Sequence, residues 1–519
     1  MARDIKIAAM VDANLGDDEG GVIGANFAVT DLHGPDPSCG GFEAQGIATW
    51  LRRVAVPGAL PPDPRRICGK MKGLASCKQT GFLRGMAEPV LKSAPGLRYR
   101  LFLCAYGAAM ALGEPLVWRY FRRRASGDAG YGAHLAERRG DGAPFQADLW
   151  VHAVSLGEFT SAEPVIRLAL EAGHSVLVTH ATPAGRRASE ARLADAIAEG
   201  RAAVRFAPVD RPGYWRRFFA LYAPKAALIM EVEFWPQMIE AARGAGCFLC
   251  LANSQVPSKS FPRAARLARL AGHPVAYAAA VFAKSDHIAG RFRALGAAPV
   301  LALGETRFDI PAAAGLVDAG QTLRDGRRVL TLASVVAGEE AVYLSLLNDL
   351  LAGDDAPLVI WVPRAPERFD DHTALLKQAG LRVARRSEVF DADLAPIARL
   401  DDVQVLVGDS LGEMFFYLAP ADAVIVGGGF TEKGAHNVIE PLSLGKPVVT
   451  GPHIWTIEFP AIEAEAAGVL TVVQNEGQLT EVVRRAMTQG GPAAVAFHAA
   501  NQGASARIFA AIRPMLEGA

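Results

Sequence analysis

Apolar and polar positions along this chain fall into two series of short apolar runs separated by polar stretches of helical length. The first series is Leu149 to Val154, Ser175 to His180, Val204 to Ala207, Ala226 to Met230, Cys247 to Ala252 and Ala279 to Lys284. The second is Val329 to Ala333, Leu358 to Val362, Val403 to Val407, Ala421 to Val426, Lys446 to Thr450 and Val469 to Val473. Runs this short, apolar and often β-branched predict strands covered on both faces. Strands alternating with helices predict parallel sheets with ligands at the carboxyl ends. The expected fold class is therefore α/β: two Rossmann-like domains facing across a cleft, at 140–310 and 325–519. Residues 311–327 carry no strand and read as a linker.

The N-terminal side has a different pattern. Residues 1–90 are rich in Gly, Pro and Asp, and Gly-Pro-Asp-Pro at 34–37 and Pro-Pro-Asp-Pro at 61–64 stop any element early. This segment reads as disordered or as a non-native extension, since translation from Met86 would leave every later motif intact. It begins with no basic-then-apolar signal peptide. Between Leu97 and Arg124 an apolar run, Leu101 to Gly113, is interrupted by Glu114-Pro115 and resumes at Leu116. The uninterrupted stretch is shorter than the roughly 20 residues of a spanning helix. Trp118 and Tyr120 sit at its edge, and Leu97 to Arg139 holds eight arginines against three acids. An interfacial anchor on an anionic leaflet is the expectation; a buried amphipathic helix with a solvated basic end is the alternative.

Composition narrows the field. A length of 519 residues suggests two domains plus extra segments. With 54 basic and 54 acidic side chains the formal charge is zero, so no overall field points to nucleic acid. The six cysteines form no disulfide framework, and Cys247 and Cys250, although spaced as CxxC, lie in an apolar run without a second pair. They read as reduced core residues in a cytoplasmic protein, and no metal site is expected.

Candidate chemistry gathers at predicted strand ends. After Ala421 to Val426 comes Gly427-Gly428-Gly429-Phe430, a polar loop, and a helix predicted from about Asn437. Strand, glycine loop and helix start can present free backbone N–H groups to a phosphate, with Glu440 in the first turn facing a ligand hydroxyl. The motif His152-Ala153-Val154-Ser155-Leu156-Gly157-Glu158 ends the first strand. Glu158 is either a cleft carboxylate acting as general base or a first-turn acid stabilised by the helix dipole. Glu231 and Glu233, two apart after Met230, should share a face if the strand persists and shift each other's pKa. Metal coordination by this pair is the alternative, but no neighbouring His or Asp cluster supports it. Arg364, after the strand ending at Val362, suits a phosphate or carboxylate. Gly408-Asp409-Ser410-Leu411-Gly412-Glu413-Met414 opens another helix. Three strand ends converging on one polar ligand indicate a nucleotide site, and the absence of GxxxxGK[ST] excludes a P-loop ATPase.

Taken in order, HAVSLGE at 152–158, THATPAG at 179–185, EVEFWP at 231–236, GETRFD at 304–309, ASVVAGEE at 333–340, PRAPER at 363–368, GDSLGEM at 408–414 and GAHNVIEP at 434–441 resemble the 3-deoxy-D-manno-octulosonic acid (Kdo) transferases, a family of GT-B glycosyltransferases. The resemblance runs from about Leu97 to near the C-terminus. It implies inverting, metal-independent transfer of Kdo from CMP-Kdo to a lipid A precursor, without a cofactor, at the cytoplasmic face of the inner membrane. Residues 140–310 would then bind the acceptor and 325–519 the CMP-sugar. It implies Glu158 as general base, with Glu231, Glu233 and Arg307 (where the family usually has lysine) near the reacting centre. Pro363, Arg364, Gly412, Glu413, Met414, Gly428, Gly429, Asn437, Val438, Ile439 and Glu440 would contact CMP-Kdo.

Several positions depart from the family pattern. Val335 and Val336 follow Ser334 where Ser-Thr-His is usual, and Ala365 replaces a histidine. These raise the alternative of a transferase with altered donor or acceptor, or of a catalytically degenerate paralogue that binds lipid or CMP. Retention of Glu158, Glu231 and Glu233 speaks against the last.

Overall fold

The structure, a computed structural model, describes residues 89–518 other than Asp325 and Asp354. The expectation for residues 1–90 therefore lies almost wholly outside the described residues.

The first described helix, α1 (Leu97–Arg124), is unbroken over 28 residues and passes through Pro115, a length of about 42 Å. It is long and apolar enough to cross a membrane. Tyr99, Leu103, Tyr106 and Phe121 are buried, a spacing that gives one helical face. On that face Gln237 Nε2 donates to the Leu103 carbonyl at 2.9 Å, Tyr99 stacks on Tyr277, and the Glu114 carboxylate accepts from Trp118 and Tyr214. Glu114, expected to interrupt the apolar run, is instead the polar contact that seats the helix on the first lobe. Leu97, Leu101, Leu112 and Leu116 are exposed on the rest of its surface.

The first lobe is a seven-stranded parallel sheet in the order β3-β2-β1-β4-β5-β6-β7. Its strands are β1 (Leu149–His152), β2 (Val176–His180), β3 (Ala202–Phe206), β4 (Ala226–Met230), β5 (Phe248–Ser254), β6 (Ala280–Ala283) and β7 (Val300–Ala302). Helix α2 (Leu156–Glu171) follows β1. The second lobe repeats the plan in the order β10-β11-β9-β8-β12-β13-β14. Here the strands are β8 (Val329–Val335), β9 (Leu358–Pro363), β10 (Val383–Arg385), β11 (Val405–Val407), β12 (Ala423–Val426), β13 (Val448–Thr450) and β14 (Leu470–Val472). Most of these strands are buried along their length, as continuous apolar runs require.

Strand order fixes where ligands go. In each sheet the chain winds outward from the first strand, returns, and continues on the other side, so β1 with β4 and β8 with β12 are the switch points. The crevice outside the carboxyl ends of such a pair is where open α/β sheets bind ligands.

Three features differ from the sequence expectation. Strands β7 and β10, three residues each, were not predicted, being too short to stand out in the apolar pattern. Residues 311–327 hold a helix, Ala314–Gln321, pressed against the helix Met414–Leu418 so closely that a Cβ at Gly320 would lie 2.3 Å from the Phe416 carbonyl. The last helix, Ala504–Glu517, does not stay with the second sheet. It returns to the first lobe, where Lys225 Nζ donates to the Leu516 carbonyl and Arg507 Nε to the Leu303 carbonyl, both at 3.0 Å.

Candidate active site

The turn from β1 into α2 positions Glu158. Ser155 caps the helix, its hydroxyl accepting the Glu158 N–H, and Glu158 is the third helical residue. Its Oε2 accepts the Val154 N–H at 2.7 Å. One carboxylate oxygen thus anchors the turn while the half-buried side chain faces other acids. Burial first, then Glu233 and Glu231, pushes its carboxyl well above the usual carboxylate range.

Glu231 and Glu233 do not form the strand pair expected from their spacing. The strand ends at Met230, and Glu231 takes a left-handed conformation, φ +59°. That conformation costs a non-glycine residue about 1–3 kcal/mol and turns the side chain out of the strand alternation. The Glu231 carboxylate meets Lys284 Nζ at 2.8 Å, Asn253 Nδ2 at 2.8 Å and Arg307 Nη2 at 3.4 Å. Glu233 is also buried, with no ion-pair partner among the described residues, and burial, opposed by the Trp235 indole, pushes it up to about 7. The two acids therefore differ: one sits among cations, the other is held toward its protonated form.

Arg307 links this group to the second lobe. It sits after β7, beyond Gly304 at φ +96°, and its Nε donates to Ser161 Oγ of α2 at 2.9 Å. Burial would lower its pKa, but Glu305, Glu231, Glu158 and Glu440 together hold it above the ordinary value. Glu440 belongs to the second lobe. Burial pushes its carboxyl up, opposed by Arg307, a hydrogen bond from Asn437, and Arg364. Glu158, Glu231, Arg307, Glu440 and Arg364 thus share one cleft, contributed by both sheets.

The glycine loop differs from the expected phosphate cradle. Glu339, fully buried, accepts N–H bonds from Gly428 at 2.8 Å, Phe430 at 3.1 Å and Val336 at 3.3 Å. The N–H groups of residues 427, 431, 434, 435 and 436 donate to backbone carbonyls. These donors are spent within the protein, so the loop is a rigid wall rather than a row of free amides. Glycine is required there by contact: a Cβ would lie 2.2 Å from the Gly434 carbonyl at Gly428 and 2.4 Å from Thr450 Oγ1 at Gly429. The helix predicted from Asn437 is a single short turn, Ile439–Ser443, whose Ile439 N–H is taken by Asn437 Oδ1 at 3.0 Å. Val438 and Ile439 are buried and offer a ligand only their backbone.

Around this wall, Arg364 follows the buried Pro363 and is exposed, its own N–H fixed on the Val335 carbonyl at 2.9 Å. Gly412 is open above its Cα at φ +81°, and Met414 begins the next helix. Glu413 is already engaged, by Arg386 at 2.7 Å and Ser410 at 2.5 Å. Val335 and Val336, the departures at the end of β8, are buried, Val335 in the core of the sheet. Apolar packing accounts for valine at both.

Known proteins are similar to this sequence. Residues 133–310 match the family model for 3-deoxy-D-manno-octulosonic-acid transferase (kdotransferase). The 3-deoxy-D-manno-octulosonic acid transferase of Bordetella pertussis is 36% identical over 422 residues, spanning 78% of this chain and 96% of that protein. The chain belongs to the Kdo transferase family. The Haemophilus influenzae transferase of the same name is 29% identical, over 79% of this chain and 98% of that one. Among solved structures, the C-terminal CMP-Kdo binding domain of WaaA from Acinetobacter baumannii aligns with 39% of this chain and 99% of its own, at 26% identity and a TM-score of 0.29.

In this Kdo transferase, a glycosyltransferase built on the GT-B plan of two facing α/β lobes, sequence reasoning gave no site role to Asn253, Lys284, Glu305 and Glu339. Glu305 and Glu339 lay inside quoted motifs, but nothing local distinguished them from surface acids. Lys284 stood at a predicted strand end, and only the adjacency of β4, β5, β6 and β7 brings it to Glu231.

Proposed function

We propose that this chain transfers Kdo from CMP-Kdo to a hydroxyl of a lipid A precursor of the lipid IVA type, with inversion and without a metal in the chemical step. The observation that carries this is the shared cleft: Glu158 on one lobe, and Arg364 and Glu440 on the other, electrostatically joined through Arg307. Glu158 takes the proton of the acceptor hydroxyl as its oxygen attacks the anomeric carbon. The bond from that carbon to the phosphate oxygen breaks on the opposite face, and CMP leaves with the electron pair. Arg364 and Arg307 offset the negative charge of phosphate and sugar carboxylate. The acids of the cleft find their counter-charges in Lys284 and Arg307, which supports chemistry without a metal.

The acceptor is an anionic lipid, and α1 supports its delivery from the cytoplasmic face of the inner membrane. Its exposed Leu101, Leu112 and Leu116 lie between Arg98 and Arg100 at one end and Arg122, Arg123 and Arg124 at the other, suiting a helix lying in an anionic interface. Incubation with CMP-Kdo and tetra-acylated lipid A precursor should give a product heavier by one or more Kdo residues, unchanged by EDTA. An acceptor of unchanged mass refutes the substrate assignment, and loss of product with EDTA refutes metal independence. Arg364→Ala should weaken donor binding by about 1.5–3 kcal/mol, the scale of a charge-assisted hydrogen bond. Calorimetric titration with CMP checks this, and unchanged affinity removes Arg364 from the donor site.

A further inference from the structure

The carboxyl ends of four adjacent strands, β4, β5, β6 and β7, bring together one buried ionic group. Lys284 follows β6 and is 3% exposed. Its ammonium lies 2.8 Å from Glu231 Oε2 and 2.7 Å from Glu305 Oε2. Asn253, in β5, donates through its single amide nitrogen to the other oxygen of each acid, at 2.8 and 2.7 Å, and accepts the Thr306 N–H at 3.0 Å. The result is a closed ring of two carboxylates, an ammonium and an amide. Arg307 stands at its rim.

Two features set this ring apart from an ordinary core ion pair. Glu231 and Asn253 are both left-handed, at φ +59° and +54°, and the β5–β6 register shifts between Leu251 and Ser254. Backbone strain at two neighbouring strand ends persists only where the surroundings over-determine it. The ring also opens on one side only, through Glu231 Oε1 toward Arg307 Nη2, while Glu305 is 1% exposed. Burying so many charges is costly unless each is paired.

We infer that Lys284 is a positioning residue for transfer, holding Glu231 turned toward Arg307 so that the guanidinium is presented to the reacting centre. Without the ammonium, two buried carboxylates would face each other across Asn253 alone. Glu231 would then swing away, and Arg307 would lose the carboxylate that orients it. The inference rests on the reading of Arg307 and Glu231 as lining the reacting centre. The charged groups facing Glu231 are Lys284 from β6, Glu305 and Arg307 from beyond β7, Glu158 from α2, and Glu233 on its own segment.

The test compares the wild-type chain, Lys284→Met, and the charge-balanced pair Lys284→Met with Glu305→Gln, using CMP-Kdo and tetra-acylated lipid A precursor. Wild-type transfer is scored first, and its absence refutes the proposed reaction rather than the role of Lys284. With transfer established, Lys284→Met should lower kcat by about ten- to a hundredfold, the scale of a misplaced reacting group. The KM for CMP-Kdo should stay within about twofold, because the cytidine contacts lie on the other lobe. The acidic limb of the kcat profile should move to higher pH, since a displaced Arg307 no longer holds the Glu158 carboxyl down. The paired variant restores charge balance and tests whether Lys284 serves folding alone. If it folds yet remains slow with the displaced limb, Lys284 positions the site. Wild-type kcat and pH profile in either folded variant overturn the inference.

Discussion

Glu158→Gln is expected to reduce kcat by about 10²–10⁴-fold, the range for loss of a positioned general base, while CMP affinity stays near wild type. Glutamine is the informative substitution because its carbonyl can still accept the Val154 N–H that anchors the β1–α2 turn. A loss of activity with an unchanged melting profile then reports chemistry rather than folding. The pH dependence carries a second expectation. Glu158 must be ionised to act, and burial together with Glu233 and Glu231 holds its carboxyl well above the usual range. The acidic limb of kcat/KM for the wild-type chain should therefore lie above ordinary carboxylate titration, with activity rising as pH rises. Glu233→Gln removes a neighbouring negative charge, so the limb should move to lower pH.

Stability should follow the same group. Glu233 has a folded pKa of about 7 against 4.5 for an ordinary glutamate, so the folded state binds the extra proton. Its contribution to stability is complete below 4.5 and is lost as pH rises through 7. Glu233→Gln should accordingly gain stability relative to wild type at pH 8, measured by urea denaturation. A near-normal kcat for Glu158→Gln would remove Glu158 from the role of base. A limb at ordinary carboxylate pH would remove the coupling to Glu233.

Glu339→Ala is expected to cost about 3 kcal/mol or more of stability, because it orphans two buried N–H donors and one half-buried one at about 1–3 kcal/mol each. Those donors, on Gly428, Phe430 and Val336, come from two segments at the β8–β12 switch point. Losing the acid should release the glycine wall from the end of β8 and weaken CMP binding along with the melting temperature. Glu339→Gln should fall between, since one oxygen can still serve Gly428 and Phe430 while the amide nitrogen faces the Val336 N–H, donor against donor. The ordering wild type, Gln, Ala in denaturant midpoint is the check. Equal midpoints would mean that the acid does not hold the loop.

The sequence by itself determined the two lobes, the parallel sheets and the location of chemistry at strand ends. A strand buried on both faces must be apolar along its whole length, so each of the longer strands declares itself locally. Glu158 was legible for a related reason, since an acid following glycine after such a strand lies at a carboxyl end wherever the fold places that strand. Tertiary structure decided what those ends do to one another. The spacing of Glu231 and Glu233 suggested a matched pair, but the left-handed turn at Glu231, steadied by Lys284 and Asn253 from β6 and β5, sends one acid to a cation and leaves the other without one among the described residues. The glycines suggested free amides, yet Glu339 from 89 residues earlier occupies the one at Gly428. Helix α1 suggested an interrupted anchor, and Tyr214 and Gln237 on the first lobe made it a continuous helix with one seated face. In each case the deciding partner is remote in sequence and near only because of the order and packing of the elements, which a local pattern of apolar residues does not encode.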